Sequence, residues 1–155
     1  MASQAKALRL SSPAHKTARF RRTGESLGLS IDSVPELIRE VMRGFRYQAL
    51  VAFATSSGVG LSALAEIIGI PERTLARRRA AGRLAPEESE RLLRLSSIFE
   101  KAVELFEGDV PAAVSWLSTP KRALEGQPPL EYARTEVGAR QVENLIGRLE
   151  HGVFS

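Results

Sequence analysis

The sequence contains no cysteine and only two histidines, His15 and His151, which are far apart along the chain. Disulfides, thiol catalysis and cysteine-ligated metals are therefore excluded, and a zinc site or a histidine-based triad has too few residues to form. The longest apolar run, Ala49–Ala54, is far too short to span a bilayer. These absences lead us to expect a cytoplasmic protein with no metal, no cofactor and no membrane partner.

Aromatic residues make up only 6% of the chain, so Leu, Ile, Val and Ala must supply most of the core. The net charge of +4 is unevenly distributed. Residues 1–60 hold nine Lys or Arg and four Asp or Glu, whereas residues 96–155 hold six and nine. This asymmetry suggests a polyanionic partner at the basic end and a different partner at the acidic end.

Residues 61–79 read as two short helices joined by a tight turn. Gly69 lies where the first helix must end with a positive φ, and Pro71 suits the first turn of the second helix. Apolar side chains at helical spacing indicate which faces are buried. The residues predicted to face the core are Leu61, Leu64, Ala65, Ile68, Ile70, Leu75 and Ala76.

This layout is that of a helix-turn-helix, whose second helix can enter the DNA major groove. The side chains predicted to project outward are Arg73, Thr74, Arg77 and Arg78, and Arg79 is predicted to meet phosphate. Arginine can pair bidentately with guanine, and threonine can touch a base edge. The alternative is a helical hairpin with a solvated basic face that serves as a packing or dimerisation module.

The flanking sequence predicts an all-α protein of about seven helices. Ser33 and Glu36 have the spacing of a capping box, Asp109 is a good N-cap, and Thr135 begins the last helix. Pro86 opens a long helix with a continuous apolar stripe, which we expect to form the core. Next to the capping box, five apolar residues at helical spacing predict a buried face, and they are Val34, Leu37, Ile38, Val41 and Met42.

Three regions are expected along the chain. Residues 1–30 have little periodicity and a basic cluster around Phe20, so we predict a flexible basic arm, which we hypothesise adds phosphate contacts on DNA. Residues 31–95 are predicted to form a helix-turn-helix domain. Residues 96–155 are predicted to form a second, smaller helical domain.

With both domains in view, the chain resembles the antitoxins of the Xre/MbcA/ParS family from about residue 30 onward. The resemblance starts with Ile70–Arg78 in the helix-turn-helix. Further similar runs follow in the same order, and they are Gly82–Leu84, Glu88–Leu95, Ala113–Leu117, Leu124–Gly126, Thr135–Gly138 and Gly147–Gly152. Small departures occur at Glu125, where a second glycine is common, and at Tyr132 and Ala133, where leucines are common.

The resemblance implies a toxin–antitoxin protein that represses its own operon and neutralises a RES-domain toxin. Such toxins resemble ADP-ribosyltransferases and act on NAD. The resemblance also implies that the last helix and the tail obstruct the active-site cleft of the toxin, with Trp116, Leu124 and Leu130 supporting the domain. The implied toxin contacts are Arg148, His151, Gly152, Val153, Phe154 and Ser155. The expected partners are operator DNA and the cognate toxin. The protein is expected to form a homodimer or a hetero-oligomer with the toxin.

Two other functions remain open. The first is a stand-alone helix-turn-helix regulator whose C-terminal domain binds another protein. The second is an enzyme, which we do not expect, because the sequence offers no nucleophile with a nearby base and no metal set. The glycines of Gly58–Gly60 do not form a phosphate loop, since no Gly-Lys-Ser/Thr follows them.

Overall fold

The computed structural model describes residues 19–152, and this part of the chain is helical without a β-strand. Two 3₁₀ turns, Glu25–Leu27 and Arg122–Leu124, accompany eight α-helices. The helices are α1 (Val34–Arg43), α2 (Tyr47–Ser57), α3 (Leu61–Ile67), α4 (Glu72–Ala81), α5 (Pro86–Leu105), α6 (Val110–Ser118), α7 (Pro129–Tyr132) and α8 (Glu136–Glu150). The predicted all-α class is confirmed.

Within residues 19–152, no single helix has both the length and the apolar composition needed to cross a membrane. Only α2 and α3 taken together reach that length and composition, and they are bent by 111° relative to each other.

The long helix α5 is the centre of the core, as its apolar stripe predicts. Leu92 and Ile98 are fully buried on it, and α6 and α8 pack against it. Phe99 meets Phe53 of α2 edge-on, with 5.2 Å between the ring centroids. Because α5 touches α1, α2, α6 and α8, most of the described chain shares one hydrophobic core.

Three helices begin at the caps that the sequence indicates. The Ser33 Oγ accepts a hydrogen bond from the Glu36 N–H at 3.2 Å. The Asp109 Oδ1 accepts one from the Ala112 N–H at 3.1 Å. The Thr135 Oγ1 accepts one from the N–H three residues later at 3.0 Å. Each cap satisfies a donor that the first helical turn leaves without a partner.

Two glycines permit close approaches that any side chain would block. A Cβ at Gly44 would lie 2.2 Å from the Leu84 carbonyl oxygen, and its φ of +88° also disfavours other residues. A Cβ at Gly138 would lie 1.7 Å from the Tyr132 carbonyl oxygen. The first glycine therefore lets α1 end against the segment after α4, and the second lets α7 and α8 pack closely.

The apolar face predicted to be buried on α1 is largely exposed, which corrects the prediction. Val34, Ile38 and Met42 are 69%, 56% and 70% exposed. Leu37 and Val41 are half-buried and attach the helix to the core. Helical spacing correctly groups these residues, but the described chain covers only the edge of that face.

Residues 19–30 also differ from the predicted flexible arm. Leu27 is buried, and Phe20 packs on Phe99 with 5.7 Å between the ring centroids. The buried carboxylate of Glu100 accepts hydrogen bonds from the backbone N–H groups of Gly24 and Ser26, at 3.2 and 3.0 Å. The segment is held by contacts with α2 and α5, which its own sequence pattern does not reveal. The remainder of the predicted arm, residues 1–18, lies outside the described residues.

Candidate nucleic-acid interface and exposed face of the last helix

Helices α3 and α4 adopt the predicted helix-turn-helix. Gly69 has a φ of +75° and reverses the chain after α3. Ile70 is 3% exposed and fills the corner, and its N–H donates to the Ala65 carbonyl oxygen at 2.8 Å. Leu64 and Ala65 are buried, and Leu75 is half-buried, so the two helices are fixed by apolar contacts beneath the turn.

The outward face of α4 is basic. Arg73, Arg77 and Arg79 are exposed, and Thr74 is half-buried, with its Oγ1 3.5 Å from the Arg77 Nη2. Arg73 and Arg77 are four residues apart and therefore lie on one side of the helix. Arg79 is two residues beyond Arg77 and points in a different direction, which suits the phosphate role predicted for it.

The sequence prediction is wrong about Ala76, which is exposed rather than facing the core. With Ala80, which is also exposed, it lies on the same side as Arg73 and Arg77, because these four positions are three or four residues apart. The two alanines lie beside the arginines, and their small side chains leave room for a close approach of another molecule to this side of α4. Alanine also matches the methyl group of thymine.

Arg78 is not an outward-facing side chain, contrary to the prediction. Its Nε lies 2.8 Å from Oε1 of Glu88, and its Nη2 lies 3.3 Å from Oε2. The hydrogen bond with Glu88 raises the pKa of Arg78 above its usual value. Burial alone raises the pKa of Glu88, but the hydrogen bonds from Arg78 and from the Ala85 N–H outweigh it, so this pKa is lowered overall. Arg78 therefore fixes α4 to the start of α5.

Two further arginines hold the helix-turn-helix in place, and the sequence alone did not single them out. The Arg91 Nε of α5 donates to the Ile68 carbonyl oxygen at 2.6 Å, where α3 ends and leaves carbonyl groups without helical partners. The Arg83 Nη1 donates to the Gly44 carbonyl oxygen at 2.7 Å. Arginines in this region thus divide into exposed side chains on α4 and side chains committed to internal contacts.

The C-terminal candidate contacts lie at the end of α8. Arg148 is half-buried, whereas His151 and Gly152 are exposed. Val153–Ser155 lie outside the described residues. The side of α8 opposite its buried residues carries Val137, Gln141, Asn144, Arg148 and His151 at helical spacing. The structure therefore places two of the predicted side chains, Arg148 and His151, on one accessible face.

Gly147 lies within this face in the interior of α8. A glycine in a helix interior costs about 1 kcal/mol relative to alanine. A Cβ at Gly147 would meet no other atom of the described chain within 4 Å, and its φ is not positive. Nothing in the described fold therefore requires glycine at this position.

Trp116 combines a core contact with an exposed edge. It is half-buried and packs on Phe106, with 6.4 Å between the ring centroids. The Lys121 Nζ lies 5.0 Å from the Trp116 ring centroid, and burial lowers the pKa of this lysine. Leu124 is 2% exposed and Leu130 is half-buried. All three residues implied to support the domain therefore contribute to its packing.

Residues 19–152 contain no group of three or more His, Asp or Glu side chains that could hold a metal ion. The described chain instead has a basic helix-turn-helix packed against the start of α5 and an exposed face on α8, which also packs on α5. These features define a helix-turn-helix protein with an additional small helical domain.

Comparison with known proteins assigns both domains. A family model for the antitoxin Xre-like helix-turn-helix domain matches residues 36–97, and one for the antitoxin Xre/MbcA/ParS C-terminal toxin-binding domain matches residues 101–152. A protein named antitoxin Xre from Yersinia enterocolitica is 39% identical over 144 residues, which is 92% of this chain and 95% of that protein.

Two further relatives carry the same name. Antitoxin Xre from Photorhabdus laumondii is 32% identical over 149 residues, covering 96% of this chain and all of that protein. Antitoxin Xre from Pseudomonas putida is 36% identical over 84 residues, covering 54% of this chain and 52% of that protein. The chain therefore belongs to the Xre family of antitoxins, which confirms the family predicted from its motifs.

Proposed function

We propose that this protein is the antitoxin of a type II toxin–antitoxin system, that it blocks the active site of a RES-domain toxin, and that it represses its own operon. The toxin would consume NAD or transfer ADP-ribose from it. The antitoxin acts in the cytoplasm by binding alone and catalyses no reaction. Its partners are the cognate toxin and the operator DNA.

The toxin-binding role is carried by the accessible face of α8. Gly147 lies on this face, and no contact within the described chain requires a glycine there. A glycine at this position would be explained if the backbone of a partner protein packs closely against it. Arg148 and His151 flank the glycine on the accessible side. We propose that they contact the toxin together with the residues that follow, Gly152, Val153, Phe154 and Ser155. Phe154 would fill an apolar cleft in the toxin.

The repressor role is supported by the exposed side of α4. Arg73 and Arg77 are exposed and form no ion pair within the described residues, and the exposed Ala76 and Ala80 lie beside them. We propose that these arginines read guanines, that Thr74 and Ala76 contact neighbouring bases, and that Arg79 binds phosphate. Arg78 has a positioning role instead, because its guanidinium is committed to Glu88.

Growth rescue tests the antitoxin role directly. A neighbouring reading frame that encodes the toxin is expressed in a tolerant host with the full chain or with a chain ending at Glu150, and NAD is measured in the same cells. We expect rescue and preserved NAD with the full chain only. Rescue by both chains would remove His151–Ser155 from the inhibitory contact. Rescue by neither would favour the alternative, a stand-alone regulator with a different protein partner.

The Gly147→Ala variant tests the contact surface, because its expected effects on folding stability and on toxin affinity have opposite signs. Alanine should stabilise the free protein by about 1 kcal/mol, because it favours the helical state. The same methyl group should weaken toxin binding at least tenfold if the toxin backbone packs against this position. Calorimetric unfolding and titration with inactive toxin provide the two measurements. Increased stability with unchanged affinity would exclude Gly147 from the interface.

The Arg73→Ala/Arg77→Ala variant tests whether the two functional ends are separate. We expect it to lose binding to its own promoter while it keeps toxin inhibition, since these side chains are far from α8 along the chain and are exposed. The double variant Arg122→Ala/Arg134→Ala, which removes two exposed arginines of the C-terminal domain, serves as the charge-matched control and should retain DNA binding. Simultaneous loss of both activities would contradict the division.

A further inference from the structure

One acidic side chain lies on the exposed side of the otherwise basic helix α4. Glu72 is the first residue of α4, and it is exposed. Around the helix axis it lies about 40° from Ala76 and about 100° from Arg73, so the three side chains share the outward face. The Glu72 carboxylate forms no hydrogen bond or ion pair within residues 19–152. Its charge is therefore free to act on another molecule that approaches α4.

Helix stability explains little of this placement. A carboxylate near the N-terminus of a helix interacts favourably with the helix dipole, but the effect is small for an exposed group. No side chain forms a capping hydrogen bond at the start of α4, so Glu72 does not cap the helix. An acid on a DNA-binding face also repels phosphate groups. This repulsion is offset if the carboxylate itself contacts a base.

We propose that Glu72 accepts a hydrogen bond from the amino group of a cytosine in the major groove and so determines one base of the operator. In helix-turn-helix complexes, the first residues of the recognition helix contact base edges. Cytosine presents an amino donor there, whereas adenine has the N7 acceptor beside its amino group and guanine presents two acceptors. An ionised carboxylate only accepts hydrogen bonds, so it favours cytosine over the other three bases.

The surface beside Glu72 has the same acidic character. Glu72 and Glu66 of α3 both line an open hollow of about 490 Å³ between the two helices. Among the described residues that line this hollow, none is Lys or Arg. Two carboxylates at one edge of the recognition face attract an amino group and repel a phosphate. This edge therefore differs from the side of α4 that carries Arg73 and Arg77.

The charge of Glu72 also weakens binding to DNA of any other sequence. Binding that ignores sequence depends on attraction between basic side chains and phosphates, and α4 contains four arginines. The carboxylate reduces this attraction everywhere and adds a hydrogen bond only where it meets a cytosine amino group. Specificity is a difference between two affinities, so both effects increase it. The inference rests on the proposed repressor role and adds one side chain to those that discriminate between sequences.

Selection from DNA duplexes with a randomised central region tests this assignment without knowledge of the operator. We expect the full-length natural protein to enrich a motif in which one position is cytosine. Glu72→Gln should change that position to adenine, because glutamine pairs with N6 and N7 of adenine. Glu72→Ala should accept all four bases there, while the other positions of the motif stay the same. A motif that is identical for all three proteins would overturn the inference.

Affinities for the selected duplex and for a scrambled duplex give a second measurement. Glu72→Gln should bind the selected duplex about tenfold more weakly, because a base contact is lost. It should bind the scrambled duplex about threefold more tightly, because a negative charge is removed. Glu125→Gln removes an exposed acid of the C-terminal domain and controls for net charge, so it should change neither affinity by more than about twofold. Equal effects of the two variants would contradict a local role of Glu72.

Glu72→Asp separates base recognition from helix stability. Aspartate keeps the negative charge at the start of α4 but is one methylene shorter, so we expect an unchanged unfolding temperature and a preference for cytosine that is about fivefold weaker. A role in stability alone predicts a lower unfolding temperature for Glu72→Gln with an unchanged motif, and that result would refute the inference while the repressor role stands. If the natural protein enriches no motif, the repressor role fails and the inference fails with it.

Discussion

Two buried glutamates on α5 hold different regions of the protein in different ways. Glu88 is 6% exposed and binds the cation of Arg78, and through it α4. Glu100, twelve residues further on, is 8% exposed and accepts hydrogen bonds from Gly24 and Ser26, and it forms no ion pair within residues 19–152. The first carboxylate is stabilised as an anion, whereas the second bears the cost of burial with neutral donors only.

The pKa values move in opposite directions for this reason. Burial raises the pKa of Glu100, and hydrogen bonds from Ser26 and Gly24 offset this only in part. At Glu88, the hydrogen bonds and the charge of Arg78 outweigh burial and lower the pKa. The helix-turn-helix is therefore held by an ion pair, and residues 19–30 are held by hydrogen bonds to a carboxyl group whose burial favours its protonated form.

The largest expected effect is that of Arg78→Ala. It leaves the buried Glu88 carboxylate without its cation, and we expect the free energy of unfolding to fall by about 3 kcal/mol. Urea unfolding at pH 7 measures the change, with Arg79→Ala as the control, because Arg79 is an exposed arginine of the same helix. That control should change stability by less than about 0.5 kcal/mol. Equal effects of the two substitutions would mean that the ion pair does not hold α4.

A somewhat smaller effect is expected for Glu100→Ala. Two buried N–H groups, those of Gly24 and Ser26, lose their acceptor, and we expect a loss of about 2 kcal/mol. Amide exchange at these two residues should accelerate while exchange in α4 stays unchanged. Glu104→Ala, at an exposed position one turn further along α5, provides the control. Uniformly faster exchange in both regions would show that the two anchors are not independent.

The pH dependence should have opposite signs at the two sites. The stability that Glu88 contributes is present above the ordinary glutamate pKa of 4.5 and is lost as the pH falls through its lowered folded value. Glu100 takes up a proton in the folded state first, so the protein gains stability from this group as the pH falls toward 4.5.

Glutamine variants isolate the two contributions, because other groups cancel in the difference from the natural protein. The cost of Glu88→Gln should shrink as the pH is lowered below 4.5, and that of Glu100→Gln should grow as the pH is lowered toward 4.5. Unfolding free energies measured between pH 3.5 and 7 distinguish these trends. Parallel trends would contradict the assigned directions of the two pKa shifts.

The smallest effect is expected for Arg22→Ala. The Arg22 Nε lies 2.7 Å from the Asp32 Oδ1, but both side chains are at least half exposed. Exposed ion pairs contribute little, so stability should fall by less than about 0.5 kcal/mol. A loss as large as that of Glu100→Ala would mean that the surface pair, rather than the buried carboxylate, anchors residues 19–30.

Local signals in the sequence predicted most of the helices. Ser33, Asp109 and Thr135 act within one turn of themselves, and Gly69 marks the turn by its own backbone preference. These signals need no knowledge of distant residues. The helix-turn-helix and the central position of α5 were therefore accessible from spacing and composition.

Contacts between distant residues were not accessible in this way. Arg77 and Arg78 are adjacent arginines that the sequence alone does not distinguish. Only the ion pair between Arg78 and Glu88 shows that Arg78 has a structural role while Arg77 is exposed. The anchoring of Gly24 depends on Glu100, 76 residues away. Periodicity also groups Val34, Ile38 and Met42 without indicating whether the same chain covers them. The sequence thus predicted which positions form the candidate site, but it did not predict which arginines are exposed and which form internal contacts.

The boundary between the two family domains falls inside α5, since the matched ranges end at residue 97 and resume at residue 101. This helix has 20 residues, is about 30 Å long, and contains no glycine or internal proline. A continuous helix fixes the distance between its two ends and does not act as a hinge. A toxin held by α8 would therefore stand at a set distance and angle from the operator. The size of the bound toxin would then influence whether a second complex fits on the adjacent DNA.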